Sequence, residues 1–381
     1  MLGSAVLASW LGLATLGTVA LRTCVTRRIR KPSPLHYWML AFALWSIVSV
    51  LWTVDWDSTV TRVGTYLQLL ILVWVTWESA PNETRVAGLL QAYVLGALMS
   101  SGLTIYNFVI GRTAAQLAAN LGRDVWETSR YSIAGINAND LGLVLAISMP
   151  MAFYLAVSRK GPAVKLLCWL QVVTGMTAIL LTGSRGSLLA ALVSLTMLPL
   201  IASRLPRSQR LASSAACVAL VACALYLVPR ASWSRILEFG SEISNGTLTH
   251  RTLLWTAGLD AFRDRAFLGV GAGAYGIAMI KSADFSYITG NAANGVAHNT
   301  FLSVLVELGV VGALLLVGFL AALLYCAFRM RYMERCLWVT LLLTWAVGAS
   351  ALTWEYRKPT WLLFGLLAAH AFARRNTTQR L

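Results

Sequence analysis

The sequence predicts an all-α protein: a polytopic bundle of about eleven to twelve transmembrane helices, with one large outer loop that contains short helices. The chain is 58% hydrophobic and only 12% charged, whereas a soluble domain has roughly 45–50% apolar and 25% charged residues. Apolar stretches near the roughly 20 residues that a helix needs to cross a bilayer recur along the whole length. Basic residues collect in the connectors that would lie on one side of the membrane.

Eleven apolar segments have the length and composition of spans, and alternation places the N-terminus outside and the C-terminus inside. They predict an N-terminal set of transmembrane helices over residues 1–228, a large outer loop over 229–308 and C-terminal helices over 309–381. The first segment has no basic residue before it, so we interpret it as a retained span rather than a cleaved signal peptide. The predicted spans are 2–21, 35–54, 58–77, 86–110, 137–157, 166–183, 186–203, 211–228, 309–328, 337–353 and 360–373.

The net charge of +16 could suggest a nucleic-acid partner, but the placement of the charges favours a membrane. The short connectors on one side carry 18 of the 31 Lys and Arg residues and only three of the 15 acidic residues. This imbalance is the positive-inside pattern of cytoplasmic loops. We therefore predict contact with membrane lipids and no nucleic-acid partner. The connectors are 22–31, 78–85, 159–165, 204–210, 329–335 and the tail from 374.

The outer loop over 229–308 is far longer than an ordinary connection, and loops of this length are usually functional or disordered. Residues 249–263 favour order, because Leu253, Leu254, Leu259 and Phe262 recur at helical spacing and Thr249 could cap a helix. The sequence predicts no cofactor and no metal site. It contains no HExxH motif or cluster of histidines and carboxylates, and its six cysteines lie in apolar spans or connectors without a CxxC pair.

Arg185 stands in the turn TGSRGS between two apolar runs on the outer side. Glycines on both sides let the backbone bend, and the guanidinium together with the free N–H groups of the next helix would suit an anion. An interfacial arginine whose charged end reaches the water is the alternative interpretation.

Two more residues of the outer loop could carry chemistry. His298 lies where the loop enters an apolar helix, and histidine suits proton transfer near neutral pH, although a capping or packing role would fit the same place. Arg251 opens the predicted loop helix and could bind an anion or be a solvated charge. Arg62 and Glu307 lie near or within apolar segments, where charges are costly and often functional, unless they reach the interface. The glycine run at 269–276 lacks the strand of a nucleotide-binding loop and predicts a tight turn.

Three segments together resemble the O-antigen ligase and O-antigen polymerase superfamily of membrane glycosyltransferases. They are TGSRGSLLA at 182–190, RTLLW…FLGVGAGAY between 251 and 275, and HNTFLSVLVELGVVG at 298–312. SVLWTVDWDSTVTRVGTYL at 49–67 and GINANDLGLVLAISMP at 135–150 are weaker similarities. Their order along the chain and their outer placement also match that superfamily.

The resemblance implies a GT-C-like helical enzyme of the bacterial inner membrane that transfers a glycan from undecaprenyl diphosphate on the periplasmic face, without a metal or a nucleotide sugar. Arg185 and Arg251 would bind the donor diphosphate, and His298 would assist the acceptor hydroxyl. Members commonly have twelve spans and a cytoplasmic N-terminus, so the eleven spans counted here imply a missing start or a miscount among the first spans.

The expected function is therefore that of an O-antigen ligase, which joins a polyprenyl-linked glycan to the lipid A core. A polymerase is the alternative, with a second lipid-linked glycan as acceptor. A flippase or transporter of lipid-linked sugars is less consistent with the sequence, because such a protein needs polar groups along a central route and lacks a large one-sided loop.

Overall fold

The computed structural model of the protein describes residues 2–119, 130–159, 161–202, 251–280 and 295–378, with a few positions between 207 and 226. Every regular element in this part of the chain is helical, which confirms the all-α prediction. The helices are α1 (Leu2–Thr26), α2 (Pro34–Val48), α3 (Trp56–Ser79), α4 (Glu83–Val109), α5 (Ala114–Ala119), α6 (Ala138–Ser158), α7 (Pro162–Thr182), α8 (Arg185–Leu195), α9 (Met197–Ala202), α10 (Arg251–Asp264), α11 (Tyr275–Ile280), α12 (Thr300–Phe328), α13 (Tyr332–Ala349) and α14 (Lys358–Thr378); a 3-10 turn, Ser49–Leu51, follows α2.

Six helical stretches in this part of the chain are long and apolar enough to cross a bilayer: Pro34–Leu51, Trp56–Ser79, Glu83–Val109, Ala138–Ser158, Pro162–Thr182 and Thr300–Phe328. Their outward faces are apolar, as Leu314 (65% exposed) and Met99 (76% exposed) illustrate. Such surfaces need a lipid environment. The chain is therefore a multi-pass membrane protein, as predicted. The predicted span 211–228 falls mostly outside the described residues, as does Thr249.

The chain forms two compact units. The first combines Met1–Val86, His250–Ala327 and Thr353–Leu381. Its helix α3 packs against α2 and α14 through aromatic contacts, with Tyr66 at 5.9 Å from both Phe42 and Trp361 between ring centroids. The loop helices α10 and α11 pack on each other in the same unit.

The second unit combines Ala87–Thr249 and Phe328–Leu352. Its centre is α6, most of whose residues are buried, and α6 packs against α7, α8 and α13. Small and polar side chains line these contacts: Ser194 donates a hydrogen bond to the Ala146 carbonyl at 2.9 Å, and Gln171 donates one to Ser148 at 2.8 Å. Helices in lipid associate in this way, because the hydrophobic effect no longer drives them together.

The helix that follows the predicted outer loop begins at Thr300, earlier than the predicted span at 309. The Asn299 side chain explains this start, since its Oδ1 accepts hydrogen bonds from the backbone N–H groups of Phe301 at 3.0 Å and Leu302 at 3.1 Å. The predicted boundary coincides with Gly309, where α12 breaks with φ +67° and ψ −169°. The first turns of α12 thus form a separate short segment, which carries the chain from His298 to the break.

Candidate active site

In the first unit a direct hydrogen bond links the helix that opens with Arg251 to the segment that carries His298. Trp255 lies one helical turn after Arg251, and its indole N–H donates to the carbonyl of Ala297 at 2.8 Å. Tyr275 of α11 supports the same helix, because its hydroxyl donates to the Leu254 carbonyl at 2.8 Å. Arg251 and His298 are both partly exposed. Two of the three residues predicted from the sequence are thus held on neighbouring elements of one unit.

His298 has an unusual backbone conformation. Its φ is +48°, in the left-handed region, which non-glycine residues rarely adopt. The residues on both sides hold it: Ala297 is fully buried and accepts the Trp255 hydrogen bond, and Asn299 caps α12. Conformations of this kind persist where the surrounding structure enforces them, and they concentrate at functional sites.

The glycine run is a tight turn, as predicted, and it lies along the break in α12. Gly269, Gly271 and Gly273 all have positive φ. The turn is bonded to α12 through Val270 N–H to the Val306 carbonyl at 3.0 Å and Gly271 N–H to the Glu307 carbonyl at 2.9 Å. A Cβ at Gly269 or Gly309 would collide with the backbone of the other segment. Both glycines are therefore required for the close approach of the two backbones.

The segment that follows α2 closes the other side of the glycine turn. Val54 N–H donates to the Val270 carbonyl at 2.9 Å, and Ala272 N–H donates to Ser49 Oγ at 3.0 Å. The Trp52 indole donates to the Leu268 carbonyl at 3.1 Å. Sequence motifs far apart in the chain are thus joined by hydrogen bonds at one end of the first unit.

Arg185 belongs to the second unit, where it is the first residue of α8. Gly183 ends α7 in the left-handed conformation with φ +58°, and Ser184 caps α8 by accepting a hydrogen bond from Ser187 N–H at 3.4 Å. Gly186 lies against Ala351, since a Cβ on that glycine would stand 2.6 Å from the alanine methyl. The turn thus presents a partly exposed arginine at the N-terminus of a helix, a suitable place for an anion.

Arg130 was not singled out in the sequence analysis, although it holds the Arg185 turn in place. It is buried, and its Nε donates to the Thr182 carbonyl at 2.6 Å. A second nitrogen of its guanidinium donates to the Asn139 side chain. Arg130 thereby joins the last turn of α7 to the GINAND segment at the start of α6. Its position outside any recognisable motif left no signal for this role.

The two costly charges noted in the sequence, Arg62 and Glu307, lie in the first unit and pair with each other. A guanidinium nitrogen of Arg62 is 3.7 Å from a carboxylate oxygen of Glu307 and 3.4 Å from one of Glu355. No sequence pattern indicated Glu355, which lies in the short connection between α13 and α14. Within the described residues, no group of three or more His, Cys, Asp or Glu side chains is arranged to hold a metal ion.

Comparison with known proteins agrees with these motifs. The model of a family described as O-antigen ligase matches residues 170–317, which include Arg185, Arg251 and His298. The exopolysaccharide production protein ExoQ of Rhizobium meliloti (strain 1021) is 25% identical, in an alignment that covers 74% of this chain. The chain spans 62% of the length of that relative. The motifs, the helical membrane fold and these matches together support the resemblance of the chain to the O-antigen ligase and polymerase superfamily.

Proposed function

We propose that the protein is an O-antigen ligase, which transfers a glycan from undecaprenyl diphosphate to the lipid A core on the periplasmic face of the inner membrane. The observation that carries this proposal is the hydrogen bond from Trp255 to Ala297, because it ties an arginine-bearing helix to a histidine held in a strained backbone. A cation for a diphosphate and a base for a hydroxyl are the two groups that such a transfer needs.

The arginines stabilise the leaving group. As the bond between the sugar anomeric carbon and the diphosphate oxygen breaks, negative charge grows on undecaprenyl diphosphate. A guanidinium offers a planar pair of N–H donors that matches phosphate oxygens, and preorganised donors of this kind usually give the largest catalytic effect. We assign diphosphate binding to Arg251 and to Arg185, whose helix N-terminus adds free N–H groups.

His298 acts on the acceptor. Its neutral imidazole accepts the proton of the attacking hydroxyl while the hydroxyl oxygen forms the new bond to the anomeric carbon. The electron pair of the broken bond leaves with the diphosphate, so atoms and charge balance without a redox partner. In this proposal the arginines supply the stabilisation that a metal ion provides in other enzymes, and the reaction is metal-independent.

A polymerase is the second candidate, and a specific observation favours it. The relative from Rhizobium meliloti is named for exopolysaccharide production, a product class in which glycans are joined to one another. In that case a second undecaprenyl-diphosphate glycan replaces the lipid A core as acceptor. Donor, leaving group and the roles of the three residues stay the same.

Reconstitution with defined acceptors tests the proposal. The purified protein is given an undecaprenyl-diphosphate glycan in the presence of a chelator, with either lipid A core or a second lipid-linked glycan as acceptor. We expect glycosylated lipid A core and release of undecaprenyl diphosphate. Elongated lipid-linked glycan would instead identify a polymerase, and no transfer to either acceptor would contradict both.

A further inference from the structure

Three ionisable side chains form a buried cluster at the end of the first unit that carries His298. Arg62 of α3 lies between Glu307 of α12 and Glu355 of the connection before α14, at 3.7 Å and 3.4 Å respectively. Both glutamates are only 4% exposed. The Arg62 guanidinium also lies over the ring of Tyr356, 3.5 Å from its centroid. Ions buried this deeply are costly unless they balance one another.

The cluster stabilises the first turns of α12, the part of the helix that begins two residues after His298. Ser303 Oγ lies 3.3 Å from both Glu307 Oε1 and Glu355 Oε1, so one hydroxyl can donate to either carboxyl group. One turn earlier, Thr300 Oγ1 accepts from Trp354 N–H at 2.8 Å. Glu307 also accepts from Gly273 N–H at 2.6 Å, which adds the glycine turn. The cluster therefore holds α12, the glycine turn and the connection around Glu355 together.

The charges do not balance if both carboxyl groups are ionised, because one guanidinium faces two carboxylates. A single shared proton would make the cluster neutral, as in other pairs of carboxyl groups that share a site. Distance to Arg62 does not decide which glutamate holds that proton, since the two separations differ by only a few tenths of an ångström. The other hydrogen bonds of the two carboxyl groups indicate which glutamate holds the proton.

Glu307 Oε2 accepts the hydrogen bond from Gly273 N–H, while the single Ser303 hydroxyl can serve Oε1 of either glutamate. Glu355 Oε2, in contrast, is buried and has no hydrogen-bond partner among the described residues. Leaving an oxygen of a buried carboxylate unpaired costs more than leaving a neutral carboxyl group unpaired. Burial also raises the pKa of Glu355 to about 7, with Arg62 opposing and Glu307 adding to the rise.

The groups that face Glu355 agree with a neutral carboxyl group. Arg62 and Tyr66 lie on α3, Glu307 lies on α12, and Tyr356 shares the connection with Glu355 and stacks with Arg357. From α14, Trp361 donates its indole N–H to the Glu355 carbonyl at 2.6 Å. Tyr275 lies near the carboxyl group of Glu307. Within the part of the chain that the structure describes, Arg62 is the cation that acts on the carboxyl group of Glu355, and Glu307 competes for the same guanidinium.

We propose that Arg62, Glu307 and Glu355 form a positioning cluster for the His298 segment, in which Glu307 is ionised and Glu355 carries the shared proton in the active state. The positioning role rests on the function proposed above; the protonation state does not. Replacement of Glu355 by glutamine then preserves the charge and shape of the cluster. Replacement of Glu307 by glutamine leaves Arg62 buried beside two neutral groups and removes the strongest acceptor for Gly273.

Infrared spectroscopy tests the proton directly, without any glycan substrate. The purified protein in a detergent that lacks carbonyl groups should show the C=O stretching band of a protonated carboxyl group at pH 6. The band should disappear in Glu355→Gln and persist in Glu78→Gln. Glu78 is the matched control, because it is a buried carboxyl group at the other end of α3 that accepts a hydrogen bond from Arg30 N–H at 3.0 Å. A band unchanged in Glu355→Gln would overturn the assignment.

Kinetics test the positioning role. Glu355→Gln and Glu78→Gln should keep turnover at pH 7 within about twofold, since neither changes the charge around Arg62. The wild type should lose turnover as the pH rises above 7 and Glu355 ionises, whereas Glu355→Gln should not show this alkaline loss. Glu307→Gln should lower turnover on the order of 10²-fold, the cost of misplacing a catalytic group by about an ångström, with donor affinity unchanged. An equal loss of turnover in Glu355→Gln and Glu307→Gln would contradict the different protonation of the two glutamates. If Glu307→Gln folds poorly, a large loss of turnover in Glu355→Gln would still contradict it. If no variant or wild type transfers glycan while the infrared result holds, the proposed function fails and the protonated cluster stands.

Discussion

His298 combines two properties at one residue, a side chain suited to proton transfer and a left-handed backbone with φ +48°. The strain has a local explanation in the neighbours that hold Ala297 and Asn299. The left-handed backbone also allows a structural role of this residue to be tested separately from a catalytic role. Asparagine adopts the left-handed conformation more readily than most residues, but it cannot accept a proton as imidazole does.

We therefore predict that His298→Asn folds as well as the wild type and is inactive. If His298 is the general base, turnover should fall about 10²–10⁴-fold while donor binding survives. His298→Ala should be equally inactive and additionally less stable, because alanine pays roughly 1–2 kcal/mol in the left-handed region. Thermal unfolding and single-turnover assays separate these effects. In the wild type, turnover should fall on the acid side as the imidazole becomes protonated, and a His298→Asn variant with normal turnover would refute the assignment.

The two arginines allow a similar comparison. Arg185→Ala and Arg251→Ala should abolish transfer while the protein remains folded, and lysine should rescue poorly, because an ammonium group cannot reproduce the bidentate fork. Arg263→Ala is the control on the same helix as Arg251. Its side chain is 76% exposed and pairs with Asp260 at the surface, a contact worth about 0–1 kcal/mol. Affinity for undecaprenyl diphosphate, measured by titration, should drop in both site variants and not in the control.

At the scale of secondary-structure elements, the structure depends on the contact between the glycine turn and the break in α12. Gly309 has φ +67° and ψ −169°, a region that only glycine occupies readily. The Trp45 indole donates to the Leu308 carbonyl at 2.9 Å and so satisfies a backbone group at the break. The break separates the short segment after His298 from the long membrane helix that follows.

Gly309→Ala should destabilise the protein by about 1–3 kcal/mol from the backbone conformation alone, and further because its Cβ would meet the Phe267 carbonyl. Gly64→Ala in α3 is the control, since nothing lies within 4 Å of the added Cβ and alanine favours a helix by roughly 0.5–1 kcal/mol. Thermal unfolding in detergent should therefore shift down for the first variant and not down for the second. Equal melting temperatures would mean that the break is not required.

The sequence predicted the elements whose signals are local. Apolar length predicted the six described helical stretches that are long and apolar enough to cross a bilayer. Glycine spacing predicted the turn at 269–276, and the resemblance drew attention to Arg185, Arg251 and His298. Contacts between distant residues gave no such signal. Arg62 and Glu307 were noticed because charges are costly in apolar segments, but their shared partner Glu355 is 293 residues from Arg62 and belongs to no periodic pattern. Arg130 was missed for the same reason, since only the fold brings it to Thr182.

At the scale of the whole molecule, charge and topology are linked. The connectors that the sequence assigns to the cytoplasm carry most of the basic residues, and the sequence assigns Arg251 and His298 to the opposite ends of the predicted spans. In the first unit, the basic connection after α1 and the turn between α3 and α4 lie together, joined by Arg30 N–H to the Glu78 carboxylate at 3.0 Å. The α12 start and the glycine turn lie at the other end of α3. A membrane potential and anionic lipids favour the basic end on the cytoplasmic side.

The orientation of the protein in the membrane can be tested without an enzymatic assay. In a variant with all six native cysteines replaced, a cysteine at Thr256, an exposed position on α10, should react with a membrane-impermeant maleimide in intact spheroplasts. A cysteine at Ser208, in the basic connector at 204–210, should react only after the membrane is opened. Both replacements leave the charge unchanged, so the positive-inside bias that the experiment probes is preserved. Labelling of Ser208→Cys from outside together with protection of Thr256→Cys would invert the topology, and it would place His298 on the cytoplasmic face, where the proposed periplasmic transfer could not occur.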